Sequence, residues 1–286
     1  MKQPRLLIDI GNTRLKWRWE TANGDIDGAT DVADLMAAYL GSNSSTVGRL
    51  AETWRRGAPM SAVDNDGRVE PAVALLACVA AEPLAQVAQT AAKIIGFELR
   101  RVHTVAQAAG VTNGYCLPAQ LGVDRWLGLL AAGALGMPTV VAGVGTALTL
   151  DVLGADGVHR GGLLSAGPAM MESALLERTA RIAMHAGLET PAVQEGLGRN
   201  TRGGLRAGSW LAAAALTERV ARDTAAKHQS TVALVMTGGD AAAVAELLPA
   251  DDRWQLHIVP DLVLRGLSRV AEGVLRGEAD CGMMTR

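Results

Sequence analysis

The chain has 286 residues, of which 49% are hydrophobic and 20% charged, with a net charge of −2. That is enough apolar material for two modest domains, and it excludes a disordered chain. A charge so near zero leaves no electrostatic footprint for nucleic acid or an anionic membrane. Three widely spaced cysteines (Cys78, Cys116 and Cys281) form no CxxC pair, which argues against a disulfide scaffold or zinc finger and fits a reducing cytoplasm.

The first predicted strand begins at Arg5 and leaves no apolar region for a signal peptide. Leu6 to Ile8 is wholly apolar, as in a strand buried on both faces. Gly11-Asn12 supplies a tight turn; after it Leu15, Trp17 and Trp19 alternate with Lys16, Arg18 and Glu20, the pattern of a half-exposed strand. Asn23-Gly24 offers a second hairpin turn. Pro83 to Ile95 reads as an amphipathic helix and Glu98 to Val102 as a strand.

The run from Trp126 to Leu150 carries no charge and is long enough to consider as a membrane span. Pro138 divides it and its two halves have different periods, so the reading is a buried helix over Asp124 to Leu135 and then a buried strand from Thr139 to Ala142. Gly143-Val-Gly-Thr146 then turns into a strand from Leu148 to Leu153, and Gly154-Ala-Asp-Gly157 turns the chain again. Helices are expected over Ala169 to His185 and Arg206 to His228, with a strand from Thr231 to Met236 between the second helix and another that follows Thr237-Gly-Gly-Asp-Ala241. The two halves repeat one order of strands, turns and helix. That implies a duplicated α/β fold whose natural ligand site is the crevice between the copies. The Gly-Pro stretch Gly114 to Pro118 suggests a division into 1–117 and 118–286.

Asp9-Ile-Gly-Asn-Thr13 sits at the tip of the first hairpin. Its backbone N–H groups, with Thr13 and Lys16, suit phosphate oxygens, and Asp9 is a hard oxygen ligand for Mg²⁺, directly or through water. An ordinary Asx-type turn accounts for this motif alone. Gly143-Val-Gly-Thr-Ala147 is a second such nest, and two facing nests are harder to attribute to turn chemistry. Gly122-Val-Asp-Arg125 reads either as a helix start capped by Asp124 or as a general base beside an anion clamp. There is no GxxxxGK[ST], GxGxxG after the first strand, HExxH or GxSxG, which argues against a P-loop, a dinucleotide fold, a zinc protease and an α/β-hydrolase. The five histidines lack ligand spacing, and the Met170-Met171 and Met283-Met284 pairs read as gap-filling.

Taken in order, Asp9-Ile-Gly-Asn-Thr13, Tyr115, Gly122-Val-Asp-Arg125, Gly145-Thr-Ala147 with Thr149 and Asp151, Gly161-Gly162 with Gly167, Thr201, and Thr237-Gly-Gly-Asp-Ala241 resemble the type III pantothenate kinases of the acetate kinase/sugar kinase/Hsp70/actin superfamily. The resemblance implies duplicated ribonuclease H-like (actin-like ATPase) domains with the active site in the cleft between them. It implies ATP-dependent, Mg²⁺-assisted phosphorylation of pantothenate to 4'-phosphopantothenate, the first step of coenzyme A biosynthesis, by a cytoplasmic homodimer that uses neither nucleic acid nor membrane. By position, Asp9, Ile10, Gly11, Asn12, Thr13, Arg14, Leu15 and Lys16 would form the first phosphate loop, and Thr146 would touch ATP from the second. Tyr115, Gly122, Val123, Asp124, Arg125 and Thr201 would line the pantothenate site, with Asp124 as proton acceptor. Relatives carry an aspartate at the position of Gly143, where it serves K⁺ or NH₄⁺, so only a weak response to monovalent cations is expected here. Two other readings are a non-catalytic accessory factor on the same fold and a kinase for another small alcohol.

Overall fold

A computed structural model describes residues 3–40, 44–65, 68–179 and 196–277. The chain forms two compact units. The first runs to Ala131 and resumes at Leu262; the second is Ala132–Asp261.

The first unit is built on a five-stranded sheet of β1 (Arg5–Ile10), β2 (Arg14–Glu20), β3 (Ile26–Asp31), β4 (Val73–Cys78) and β5 (Arg100–Arg101), in the order β3-β2-β1-β4-β5. β1 to β3 form an antiparallel meander, while β1, β4 and β5 are parallel. β1 is central, which is why its apolar run is buried on both faces. Leu6, Ile8 and Ile10 face a core shared with Trp54 of α2 (Ser44–Gly57) and with Leu84 and Ala88 of α3 (Glu82–Ile94); α1 (Val32–Leu40) adds Leu35. Alternation turns Leu7 and its partner Leu75 to the other face. Two-residue strands β6 (Gln107–Ala108) and β7 (Val111–Thr112) and helix α4 (Val123–Ala132) follow.

The second unit repeats the plan. Strands β8 (Thr139–Val144), β9 (Ala147–Leu153) and β10 (His159–Ala166) form the meander, and α5 (Pro168–Arg178) and α6 (Thr201–His228) follow. β11 (Val232–Thr237) and β12 (Trp254–Ile258) flank α7 (Ala241–Ala245), and the strand order is β10-β9-β8-β11-β12. This matches the first sheet strand for strand, and it bears out the duplication read from the sequence. Alanines of α6 (Ala213, Ala214, Ala221) pack on Val140, Leu150 and Leu234, so small side chains bring the helix close to the sheet.

Helix α8 (Leu262–Leu275) leaves the second unit and packs on β1 and β4 of the first. Arg5 and Glu20, 4% and 3% exposed, form an ion pair at 3.4 Å, and Ser268 of α8 donates to the same Glu20 carboxylate at 3.0 Å. Further hydrogen bonds offset part of the desolvation cost of a buried pair; here Arg5 also donates to the Ser268 carbonyl at 3.4 Å, and these bonds fasten α8 to the first two strands. The contact division therefore falls at 131/132 and 261/262 rather than at 117/118. The stretch 114–118 is tied into the first unit, since Asn113 bonds to the carbonyl of Pro118.

Several expected elements shift. The uncharged run is a helix that ends at Ala132 and a 3₁₀ turn, then strand β8, and no described helix is long and apolar enough to cross a membrane. The expected strand over 98–102 shortens to β5, α6 starts at Thr201, and α5 ends at Arg178. Residues 180–185 of that expected helix, with Cys281 and Met283-Met284, lie outside the described residues.

α8 crosses α4 so closely that a side-chain carbon at Gly266 would lie 2.2 Å from the Leu127 carbonyl oxygen. Backbone cannot yield as a side chain does, so Gly266→Ala is expected to cost ~1–3 kcal/mol through overpacking. Thermal denaturation checks this: an unchanged melting temperature would contradict the close crossing.

Candidate active site

Asp9 to Lys16, Tyr115 and Gly122 to Arg125 belong to the first unit. Asp9, half-buried near the end of β1, stands opposite Lys16 of β2 and Ala77 of β4. Between the strands the Gly11 N–H donates to the Arg14 carbonyl at 3.0 Å, and the Thr13 carbonyl accepts from Val32 at 2.9 Å. Asn12, Thr13 and Arg14 are exposed at this tip, and Arg14 lies 3.5 Å from Asp31. Ile10 and Leu15 are fully buried in the core, which leaves only their backbone to face a ligand.

Burial pushes the Asp9 carboxyl up to about 7; the negative charge of Asp124 adds to the shift and Lys16 opposes it. β1 and the start of α4 therefore place two carboxyls in one electrostatic neighbourhood. Asp124 lies in the first turn of α4, whose bonding begins with the Trp126 N–H on the Gly122 carbonyl at 2.9 Å. Asp124 is thus the second residue of the helix, two past the cap position at Gly122, and its Oδ1 accepts from the Arg125 N–H at 2.8 Å. A side-chain carbon at residue 122 would sit 2.7 Å from that oxygen, so glycine leaves the carboxylate its space.

Arg125 is 9% exposed. Its Nη1 donates to the Tyr115 hydroxyl at 3.1 Å, and its guanidinium carbon lies 5.7 Å from the Tyr115 ring centre. The pair is a preorganised donor set of the kind that recognises carboxylates.

The Thr146 loop belongs to the second unit. The Gly145 N–H donates to the Ala147 carbonyl at 3.1 Å, and Gly167 donates to the Thr146 carbonyl at 2.9 Å. A side-chain carbon at Gly167 would fall 1.8 Å from the Gly145 oxygen, and one at Gly238, with φ of +104°, would fall 2.1 Å from the Val144 oxygen. Three loops therefore meet backbone to backbone around Thr146. The Asp240 N–H closes the set on the Val144 carbonyl at 3.2 Å. Thr201 is the first residue of α6, after Asn200, whose side chain accepts from the Gly203 N–H at 2.6 Å. Asp151, 1% exposed, bonds His159 at 2.9 Å, so this motif acid is engaged inside the sheet.

The structure thus brings Asp9 together with Lys16 and Asp124, and Tyr115 with Arg125, while Thr146 and Thr201 belong to the second unit. Motif reading passed over Asn113, whose side chain accepts the Tyr115 N–H at 2.9 Å. The available signal was the Asn113-Gly114 turn dipeptide directly before Tyr115.

A family model for type III pantothenate kinase matches residues 5–223. The chain belongs to that family. It is 36% identical over 285 residues to a type III pantothenate kinase of Nitrosococcus oceani, covering 96% of this chain and 97% of that protein. It is 35% identical over 279 residues to the one of Burkholderia cenocepacia, covering 95% and 96%. Among solved structures, a candidate 2-dehydro-3-deoxygalactonokinase of Sinorhizobium meliloti is similar at a TM-score of 0.57 and 14% identity, over 94% of this chain and 99% of that one. A candidate Baf family transcriptional activator of Campylobacter jejuni is similar at 0.54 and 16%, over 95% and 99%. Both similarities concern the fold.

Free of metal and nucleotide, this kinase-family chain is expected to lose stability through Asp9 as pH rises. The folded state holds the Asp9 proton up to about 7, whereas an ordinary aspartate releases it at 3.8. The penalty is therefore absent below the lower value, grows between the two, and is complete above the higher. Asp9→Asn should melt above wild type at about pH 8 and level with it at about pH 4. The same difference in melting temperature at both pH values would contradict the raised pKa.

Proposed function

We propose that this member of the type III pantothenate kinases is a cytoplasmic enzyme that transfers the γ-phosphoryl group of ATP to the hydroxyl of pantothenate, giving 4'-phosphopantothenate and ADP. The observation that carries this reading is the pairing of Asp9 with Asp124 beside the Tyr115–Arg125 donor set. Asp9, with Gly11 to Lys16, faces the phosphates, and Thr146 touches ATP as the family resemblance implies. Asp124 accepts the hydroxyl proton as the new P–O bond forms and the bond to the ADP oxygen breaks. Such a base contributes about 10²–10⁴-fold. Arg125 and Tyr115 hold the pantothenate carboxylate, and Thr201 adds a hydroxyl.

Two neighbouring carboxyls, one of them driven toward neutrality, suit a divalent cation, and Asp9 is the residue that would hold Mg²⁺. Bound there with ATP, the ion would neutralise charge on the β- and γ-phosphates. Positioning and charge compensation are most of what phosphoryl transfer asks of a protein, and the remaining groups supply them.

The site does not fit the monovalent cation of the family. Gly143 brings no side-chain oxygen, and the Thr149 hydroxyl lies 2.6 Å from where a side-chain carbon at residue 143 would stand. Asp151, the acid on β9, is engaged by His159. A homodimer is supported by the apolar residues that the second unit exposes, Leu163 and Leu164 on edge strand β10 and Met170 and Leu175 on α5.

ADP release, measured with pantothenate, with sugars and with no acceptor, tests the assignment. Wild type should turn over with pantothenate alone, and Asp124→Asn should bind ATP while losing most turnover. Near wild-type kcat in that variant would remove Asp124 as the base, and turnover only with a sugar would move the chain to another acceptor. At constant ionic strength, replacing a large organic cation with K⁺ should change the rate weakly; steep, saturable activation would point to a replacement ligand. Sedimentation should give a dimer mass, and a monomer mass would contradict the homodimer.

A further inference from the structure

The loop that carries Tyr115 is held by groups outside every motif. β6 and β7 pair Gln107 with Thr112 and Ala108 with Val111. Hairpins so short are marginal alone. The turn residues Ala109 and Gly110 have φ of 48° and 80°, the left-handed pair that a two-residue hairpin turn requires. For alanine that conformation is unfavourable and persists only under constraint. The constraint comes from the C-terminal helix: Arg269 of α8 donates from Nη2 to the Ala109 carbonyl at 2.9 Å.

At the base of the hairpin Asn113 is 8% exposed. Its backbone N–H donates to the Ala106 carbonyl at 2.8 Å and extends the ladder. Its Nδ2 donates to the carbonyls of Val105 and Pro118 at 3.4 and 3.3 Å, and its Oδ1 accepts the Tyr115 N–H at 2.9 Å. One buried amide thus joins the segment before the hairpin, the segment after it and the backbone of Tyr115. No other side chain of this size offers two donors and an acceptor on one plane without charge.

We infer that Asn113 and Arg269 are positioning residues for the acceptor site: Asn113 fixes the Tyr115 backbone, and so where its hydroxyl meets Arg125, while Arg269 braces the same hairpin from α8. The inference rests on the pantothenate reading of that site. Tyr115 and Arg125 hold a carboxylate well only at a fixed spacing, and displacing the tyrosine weakens the acceptor and leaves the nucleotide groups on β1 and β2 in place.

The test uses the full-length chain, with Asn113→Ala and Arg269→Met each made alone and Asn113→Ala also made on Tyr115→Phe. KM for pantothenate should rise about tenfold in Asn113→Ala and less in Arg269→Met, as for loss of buried hydrogen bonds, with KM for ATP within about twofold of wild type. On the Tyr115→Phe background the effect of Asn113→Ala should largely vanish, because one contact cannot be lost twice. An equal effect on both backgrounds, or an unchanged KM for pantothenate, overturns the proposal. Should Asn113→Ala not fold, Arg269→Met decides by the same KM comparison. The chain has two tyrosines, so carbon-13 tyrosine labelling gives a readout independent of substrate: the Tyr115 ring signal should move in each folded variant while that of Tyr39 stays. An unmoved Tyr115 signal overturns the brace whatever the substrate. A wild type inactive on pantothenate overturns the functional reading and leaves the labelled spectra to judge the brace.

Discussion

Two carboxyl groups that would repel each other in water are held in one neighbourhood, Asp9 near the end of a buried strand and Asp124 in the first turn of a helix. Burial and mutual charge work in the same direction, and Lys16, opposite Asp9 in the ladder, offsets part of the cost. Like charges kept together at the expense of stability are characteristic of functional sites. Under the proposed roles, a cation at Asp9 and the acceptor hydroxyl at Asp124 would relieve the strain, and destabilisation of the free protein would become affinity for the reacting groups.

The rest of the first unit serves to keep that arrangement fixed. β1 lies at the centre of its sheet, with neighbours on both edges and side chains buried on both faces. α4 is pressed against α8 at Gly266, and α8 is pinned to β1 and β2 by the buried Arg5–Glu20 pair and Ser268. The last described helix of the chain thus sets both the position of Asp124, through α4, and that of Ala109, through Arg269. In the second unit, backbone contacts at Gly167 and Gly238 do the corresponding work for the Thr146 loop. Side chains at these points would separate loops that must touch.

Much of this was legible in the sequence, and the reasons differ by element. The central strands showed as unbroken apolar runs because both their faces are buried, and the meanders showed through turn dipeptides. The parallel strand β4 has the same apolar signature but no motif to draw attention to it, and the same holds for α1, which is mostly apolar, and for α2, which is amphipathic. α6 begins earlier than its apolar pattern because Asn200 caps it ahead of the weak helix formers Gly203 and Gly204. The position of α8 was not legible: no local pattern announces that a C-terminal helix returns to the first sheet. Gly114 to Pro118 has the composition of a linker, yet one amide, that of Asn113, binds it into the fold. The candidate site followed the same rule. Residues with chemistry stood out in motifs, while the residues that place them act through long-range contacts.

Carbon-13 detection of the Asp9 carboxyl through a pH titration measures the coupling of Asp9 to Asp124. The midpoint is expected near 7 in the free chain, lower in Asp124→Asn, where the repelling charge is gone, and lower again when Mg²⁺ and ATP are added. A midpoint at the ordinary aspartate value in the free chain, unmoved by Asp124→Asn, would contradict it.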